Sequence, residues 1–427
     1  MFQQEFSVEA LPITTGEFKQ KALYWADSFQ QVAFYEPNQI KFPHQGFQNF
    51  LAVSNVFLNF DRNNALESLQ TEVDHLQQTL CCILSYELKN QIEPLTTSHT
   101  HKIKFPIIHY FYPDISIVFR DNIITIISKS DDCNLVYKAI VHTTILPNSA
   151  ESPIPVKPII SQNDYIQRVN QIKQRILEGD VYELNYCQEF QAEVNEFHPV
   201  TTFIALNQLS PMPFAGFYKV NDCYLLCASP ERFLKKSGNT LIAQPIKGTI
   251  RRGRTDFEDN QLKQELASNE KEIAENMMIM DLVRNDLARC SITGSVKVEE
   301  MFAVYRFKQV FQMITTIRSQ VTPATRLSQI LRCTFPMGSM TGAPKIQAMR
   351  LIDQYEVFAR GLYSGSMGYI LPNGDFDFNV VIRSIQYNRS AKHLTFAVGS
   401  AITYDSDPEK EYEECILKAE AILNTLK

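Results

Sequence analysis

No histidine lies between His198 and His393. Through the middle of the chain this argues against a Ser-His-Asp triad, a Cys-His pair or a histidine-rich metal site. No two cysteines stand in a C-x-x-C arrangement. The nine cysteines run from Cys81 to Cys415, and neither Cys81-Cys82 nor Cys223/Cys227 has zinc-ligand spacing. They read as reduced, mostly buried thiols, which fits a cytoplasmic address. No apolar run approaches a membrane span, and Met1 to Phe6 lacks the basic and apolar regions of a signal peptide. With a net charge of −6 and no long basic run, a nucleic-acid partner has little support. No internal repeat or low-complexity tract is present.

What is present is ordinary globular material: 44% hydrophobic and 21% charged residues over 427 positions, enough for two domains or one large one. Residues 1–150 read as a scaffold region. Gly46 to Leu58 has the aromatic clustering of a buried strand pair, and Ala65 to Leu80 has helical spacing. Ile107–Tyr112, Ser116–Phe119 and Ile123–Ser128 read as strands, the last two joined at Arg120-Asp121-Asn122. Pro147, Pro153, Pro155 and Pro158 mark a linker, which sets off a second region at 155–427. There, Ser161 opens a helix that Gly179 ends, and Asp180–Gln188, Phe214–Tyr218, Tyr224–Ala228 and Thr240–Ala243 read as strands. Leu262–Cys290 and Ser406–Leu426 read as two long helices, the second opened by a Ser406/Glu409 capping box.

Chemistry must then come from lysine, arginine, carboxylates and backbone dipoles. Lys247 lies between Pro245 and Gly248, so it is presented from a defined backbone. On that stretch alone it is either a surface lysine or one aimed into a pocket as nucleophile or base. Glu411 and Glu414 share a helix face with Lys418. They form either a solvated charged face or, with Glu275, a carboxylate set for Mg²⁺. Gly338 to Lys345 is either an anion-binding loop or a plain Gly/Pro turn; its spacing is not that of a Walker A motif. Arg383, among Val380, Val381, Ile382 and Ile385, reads as a strand arginine needing a substrate or protein carboxylate. Val398 to Ala401 offers backbone N–H groups to the same anion, or is a turn. Together these describe a pocket for a polyanionic small molecule.

Four blocks, Ser229–Thr249, Glu275–Arg289, Phe335–Asp353 and Gly361–Glu414, resemble the chorismate-utilising enzymes, in family order over nearly all of residues 160–425. Residues 1 to about 145 match only by position. The resemblance implies an α+β fold of large antiparallel sheets in a sandwich-like core with helices outside. The lysine at position 247 is similar to that of aminodeoxychorismate synthase component I, whereas anthranilate synthase component I has a small residue there. The implied reaction is amination of chorismate at C4, giving 4-amino-4-deoxychorismate for 4-aminobenzoate and folate synthesis.

In that reading Lys247 attacks ring C2 first, so burial or Arg251 and Arg252 should lower its pKa. Glu231 matches the general acid for the departing hydroxyl. Glu275 and Glu414 match Mg²⁺ ligands with Glu411 nearby, and Thr341, Tyr363, Arg383, Gly399 and Lys418 match substrate contacts. Glu183 stands where isochorismate- and salicylate-forming relatives carry a lysine, which argues against those activities. Gln312 replaces a histidine common in relatives, Ala401 replaces a glycine, and no tryptophan-binding signature is found near the N-terminus. The chain shows no glutamine-amidotransferase nucleophile elbow, and it ends right after the last block. Ammonia is therefore expected from a separate glutamine amidotransferase subunit, with no fused lyase. The rival expectations are anthranilate synthase component I and a non-catalytic subunit that binds chorismate or the amidotransferase.

Overall fold

The computed structural model describes residues 2–8, 13–59, 61–130, 132–145 and 153–427. Among these, two antiparallel sheets, of 12 and nine strands, stack face to face. The larger runs in the order Phe2–Ser7, Ile123–Ser128, Ile115–Phe119, Phe50–Ser54, Gln31–Glu36, Phe214–Val220, Cys223–Ser229, Ser384–Asn388, His393–Ile402, Glu183–Glu193, Gly342–Ala343, with Lys157–Pro158 also pairing with Glu183–Glu193. The smaller runs from Ile246–Arg251 through Val310–Gln320, Thr240–Gln244, Arg232–Ser237, Phe376–Asn379, Ser366–Ile370 and Leu80–Leu84 to Ile108–Phe111, with Lys297–Arg306 also pairing with Val310–Gln320. The α+β architecture expected from the sequence is what the chain adopts.

Period-two alternation explains the layering. In Gln31–Glu36, Val32 and Phe34 join a core shared with the outer helices, while Ala33 and Tyr35 join a core between the sheets. Leu51 and Val53 against Phe50 and Ala52 repeat the division, as do Tyr224 and Leu226 against Leu225 and Cys227. Central strands buried on both faces therefore read as continuous apolar runs, each fully buried large side chain contributing about 1.5–3 kcal/mol. Helices Thr15–Ala26, Gln162–Leu177, Pro199–Leu209 and Pro408–Thr425 cover the outside of the large sheet.

The strands of residues 1–145 are not set apart from the rest. Gln31–Glu36 pairs with Phe214–Val220, and Leu80–Leu84 pairs with Ser366–Ile370. The start of the expected linker, including Pro147, lies outside the described residues.

Several local expectations are corrected. Gly46–Leu58 is one strand, Phe50–Ser54, because Val56 and Phe57 turn out to solvent. The helix expected over Ala65–Leu80 stops at Asp74, and Leu80 begins a strand. The helix expected over Leu262–Cys290 is two, Asp256–Ser268 and Glu270–Ala288; Asn269 separates them and caps the second by accepting from the Glu272 N–H. The last helix is capped by Asp407, not Ser406, whose hydroxyl donates instead to Glu411 at 2.8 Å. All nine cysteines are free. No helix among the described residues is long and apolar enough to cross a membrane.

Candidate active site

Lys247 lies on the strand Ile246–Arg251, whose pairing with Val310–Gln320 slips register between Ile246 and Thr249. Gly248 makes the slip possible: its φ is +94°, and an added Cβ would meet Glu272 Oε2 at 3.1 Å and Met313 Cβ at 3.2 Å. Asn276, from the helix Glu270–Ala288, locks this bulge. Its Nδ2 donates to the Lys247 and Met313 carbonyls at 3.0 and 3.3 Å, and its Oδ1 accepts from Thr315 at 2.6 Å. The lysine is thus aimed inward, its side chain 11% exposed, with Nζ 2.9 Å from Glu183 Oε1.

This contact corrects the expected ionisation. Burial opposes the charge on Lys247, but Glu183, Glu275 and Glu414 outweigh it and hold the ammonium above the ordinary lysine range. Arg251 and Arg252, expected to push the other way, are paired with Glu258 and Asp259. The resting lysine is a buried cation.

Glu231 sits at the turn between Cys223–Ser229 and Arg232–Ser237 and is 3% exposed. Its Oε1 accepts from the Ser339 hydroxyl at 2.6 Å. Burial pushes its carboxyl up to about 7, against the pull of Ser339, Lys247 and Arg383. That value suits a proton donor near neutral pH. Arg383 is not on a strand: Phe376–Asn379 ends before it, Ser384–Asn388 begins after it, and its φ is +50°. Burial pulls its guanidinium down to about 10, with Glu231 opposing. Among the described residues it makes no ion pair, so it stays free to bind an anion.

Beside Lys247 the carboxyl groups of Glu183, Glu272, Glu275, Glu411 and Glu414 face the ammonium groups of Lys247, Lys271 and Lys418. Burial pushes Glu275 up to about 7, with Glu183 and Glu272 adding to the push, and its Oε1 has no hydrogen-bond partner. Lys418, 2.6 Å away, holds Glu414 below the usual carboxylate range. The expected set of Glu275, Glu411 and Glu414 is not gathered into one ligand shell. Lys271 stands between Glu275 and Glu411 at 3.6 and 3.5 Å, and no group of three or more ligating side chains is assembled among the described residues. The excess of carboxylates over lysines, with Glu275 Oε1 reached by Lys271 at 3.6 Å but by no hydrogen bond, fits a divalent cation held by Glu275 and Glu414, with Glu272 adjacent.

Gly399 lies within the strand His393–Ile402, opposite Cys187, so Val398–Ala401 is not a turn. A Cβ at Gly399 would stand 2.3 Å from Cys187 Sγ, and its carbonyl accepts from Lys418 Nζ at 3.0 Å. Tyr363 is buried, with its hydroxyl 3.6 Å from the same sulfur. Thr341 is fully buried and donates to the Met337 carbonyl at 3.0 Å, so its hydroxyl serves its own turn. Gln312 is buried with an unpartnered Oε1. Sequence reasoning missed Ser339, Asn276 and the contact from Glu183. Ser339 stood inside the Gly338–Lys345 loop, and Glu183 at a position already distinguished from that of relatives. Asn276 left no signal, because its role depends on the bulge it faces.

The fold thus sets Lys247, Arg383 and a group of largely buried carboxylates close together. The chain belongs to the chorismate binding enzyme family, whose model matches residues 18–424. It is 36% identical over 345 residues to aminodeoxychorismate synthase, chloroplastic, of Arabidopsis thaliana, covering 74% of this chain but only 37% of that protein. It is 32% identical over 382 residues to aminodeoxychorismate synthase component 1 of Bacillus subtilis (strain 168), covering 84% of this chain and 80% of that one. The crystal structure of anthranilate synthase component I from Streptococcus pneumoniae TIGR4 superposes with a TM-score of 0.74 at 26% identity, covering 92% of both chains.

Proposed function

We propose that this chain aminates chorismate at C4 to give 4-amino-4-deoxychorismate. The observation that carries this reading is the buried Lys247, aimed into a site shared with Glu231 and Arg383. The names of the Arabidopsis and Bacillus relatives support the same reaction. In this scheme the neutral Lys247 amine attacks ring C2, both ring double bonds shift, and the C4 hydroxyl leaves as water with a proton from Glu231. Ammonia then attacks C4, the double bonds shift back, the C2–Nζ bond breaks with its electron pair returning to Nζ, and the proton shed by the new C4 ammonium restores Glu231. Arg383, Lys418 and the Gly399 strand receive the substrate carboxylates, with Tyr363 and Thr341 shaping the walls behind them.

Mg²⁺ at Glu275 and Glu414 supplies positive charge for a substrate carboxylate when bound. Ammonia comes from a separate glutamine amidotransferase subunit, as the word component in the Bacillus name suggests. The likeness to anthranilate synthase component I keeps one alternative, direct amination at C2. Purified protein with chorismate, Mg²⁺ and ammonium salt decides: aminodeoxychorismate supports the reading, and anthranilate sinks it.

A further inference from the structure

We infer that Glu183 takes the proton from Lys247 and positions its amine, so that the pair and not the lysine alone is the nucleophilic device; this rests on the reading of Lys247 given above. Glu183 is 1% exposed and its Oε1 lies 2.9 Å from Nζ, while its Oε2 has no hydrogen-bond partner. Most buried side-chain polar atoms in folded proteins find a hydrogen-bond partner. The Arg360–Glu356 pair in this chain does so, taking N–H groups from Arg360 and Cys187. Glu183 instead keeps an oxygen in reserve. Its backbone is fixed on both sides, by the Tyr182 N–H on the Ala343 carbonyl at 2.7 Å and the Asn185 N–H on the Thr341 carbonyl at 2.8 Å.

The other charged groups around Lys247 are Glu231, Glu272 and Glu275, with Glu414 and Lys418 from the last helix. Among the described residues none of them makes an ion pair with Nζ, whereas Glu183 does at 2.9 Å. In the step itself an Nζ–H bond breaks, the proton goes to Glu183, and the electron pair stays on nitrogen to attack C2. When ammonia later displaces the lysine, the released amine takes the proton back from Glu183, and no other reactant is consumed.

The test measures kcat and KM for ammonium-dependent amination in Glu183→Gln, Glu183→Ala and Lys247→Ala. It also follows the pH midpoint of acylation of Lys247 by mass spectrometry of the intact protein. The expectation for Glu183→Gln is a kcat about 100-fold lower with KM within about twofold, and a labelling midpoint at lower pH. Formate should restore part of the activity of Glu183→Ala. Wild-type amination by Glu183→Gln beside an inactive Lys247→Ala overturns this inference and leaves the nucleophilic lysine intact. So does a loss in Glu183→Ala that formate leaves unchanged. Wild-type amination by Lys247→Ala overturns the nucleophilic lysine, and the role of Glu183 with it.

Discussion

Replacing Glu231 with Gln should stabilise the protein while abolishing its chemistry. The carboxyl is moved from 4.5 to about 7 chiefly by burial. At about 1.4 kcal/mol per tenfold, holding it ionised costs the fold about 3 kcal/mol. The sign follows from proton uptake: the folded chain binds this proton more tightly than the unfolded one. Its favourable effect is complete below 4.5, fades as pH rises, and is gone above about 7. Glutamine copies the protonated form, and its Oε1 still accepts from Ser339. The melting temperature of Glu231→Gln should therefore match wild type at pH 4.5 and exceed it by about 3–4 °C at pH 8, given the unfolding entropy of a chain this long. Differential scanning calorimetry across that range measures it. A difference that does not vary with pH, or a variant less stable at pH 8, refutes the account of Glu231 as a buried acid.

Other outcomes follow from the same geometry. Gly399→Ala forces a Cβ to 2.3 Å from Cys187 Sγ and should cost about 1–3 kcal/mol in urea denaturation. Asn276→Ala frees the Lys247 and Met313 carbonyls and should cost about 2 kcal/mol, with amination falling further than stability alone explains. Mg²⁺ at 100 times its Kd should raise stability by about 2.7 kcal/mol, with EDTA and Glu275→Gln each removing the gain in a melting assay.

The sequence was most readable where local rules act alone. The hairpin at Asp121-Asn122, closed by Arg120 and Ile123, and the helix capped by Ser161 and Asp164 lie where expected. The four motif blocks marked Glu231, Lys247 and Arg383, and the structure brings these three within electrostatic reach of one another. What was not readable depends on partners distant in the chain. The ionisation of Lys247 is set by Glu183, 64 positions earlier, and by two helices. Arg383 looked like a strand residue because its neighbours are apolar, yet the backbone turns there at positive φ. Nothing near Glu411 in the sequence marked the contacts it makes with Ser406 and Lys271.

The interleaving of early and late strands has a consequence for synthesis on the ribosome. Gln31–Glu36 must wait for Phe214–Val220, and Leu80–Leu84 for Ser366–Ile370. Until then, strands destined for burial on both faces emerge with no partner, the situation in which long-range pairing is slow and nascent chains aggregate. The newborn chain should lean on holding chaperones until its last third has been made, and truncated fragments should be recovered as aggregates, not as smaller folded units.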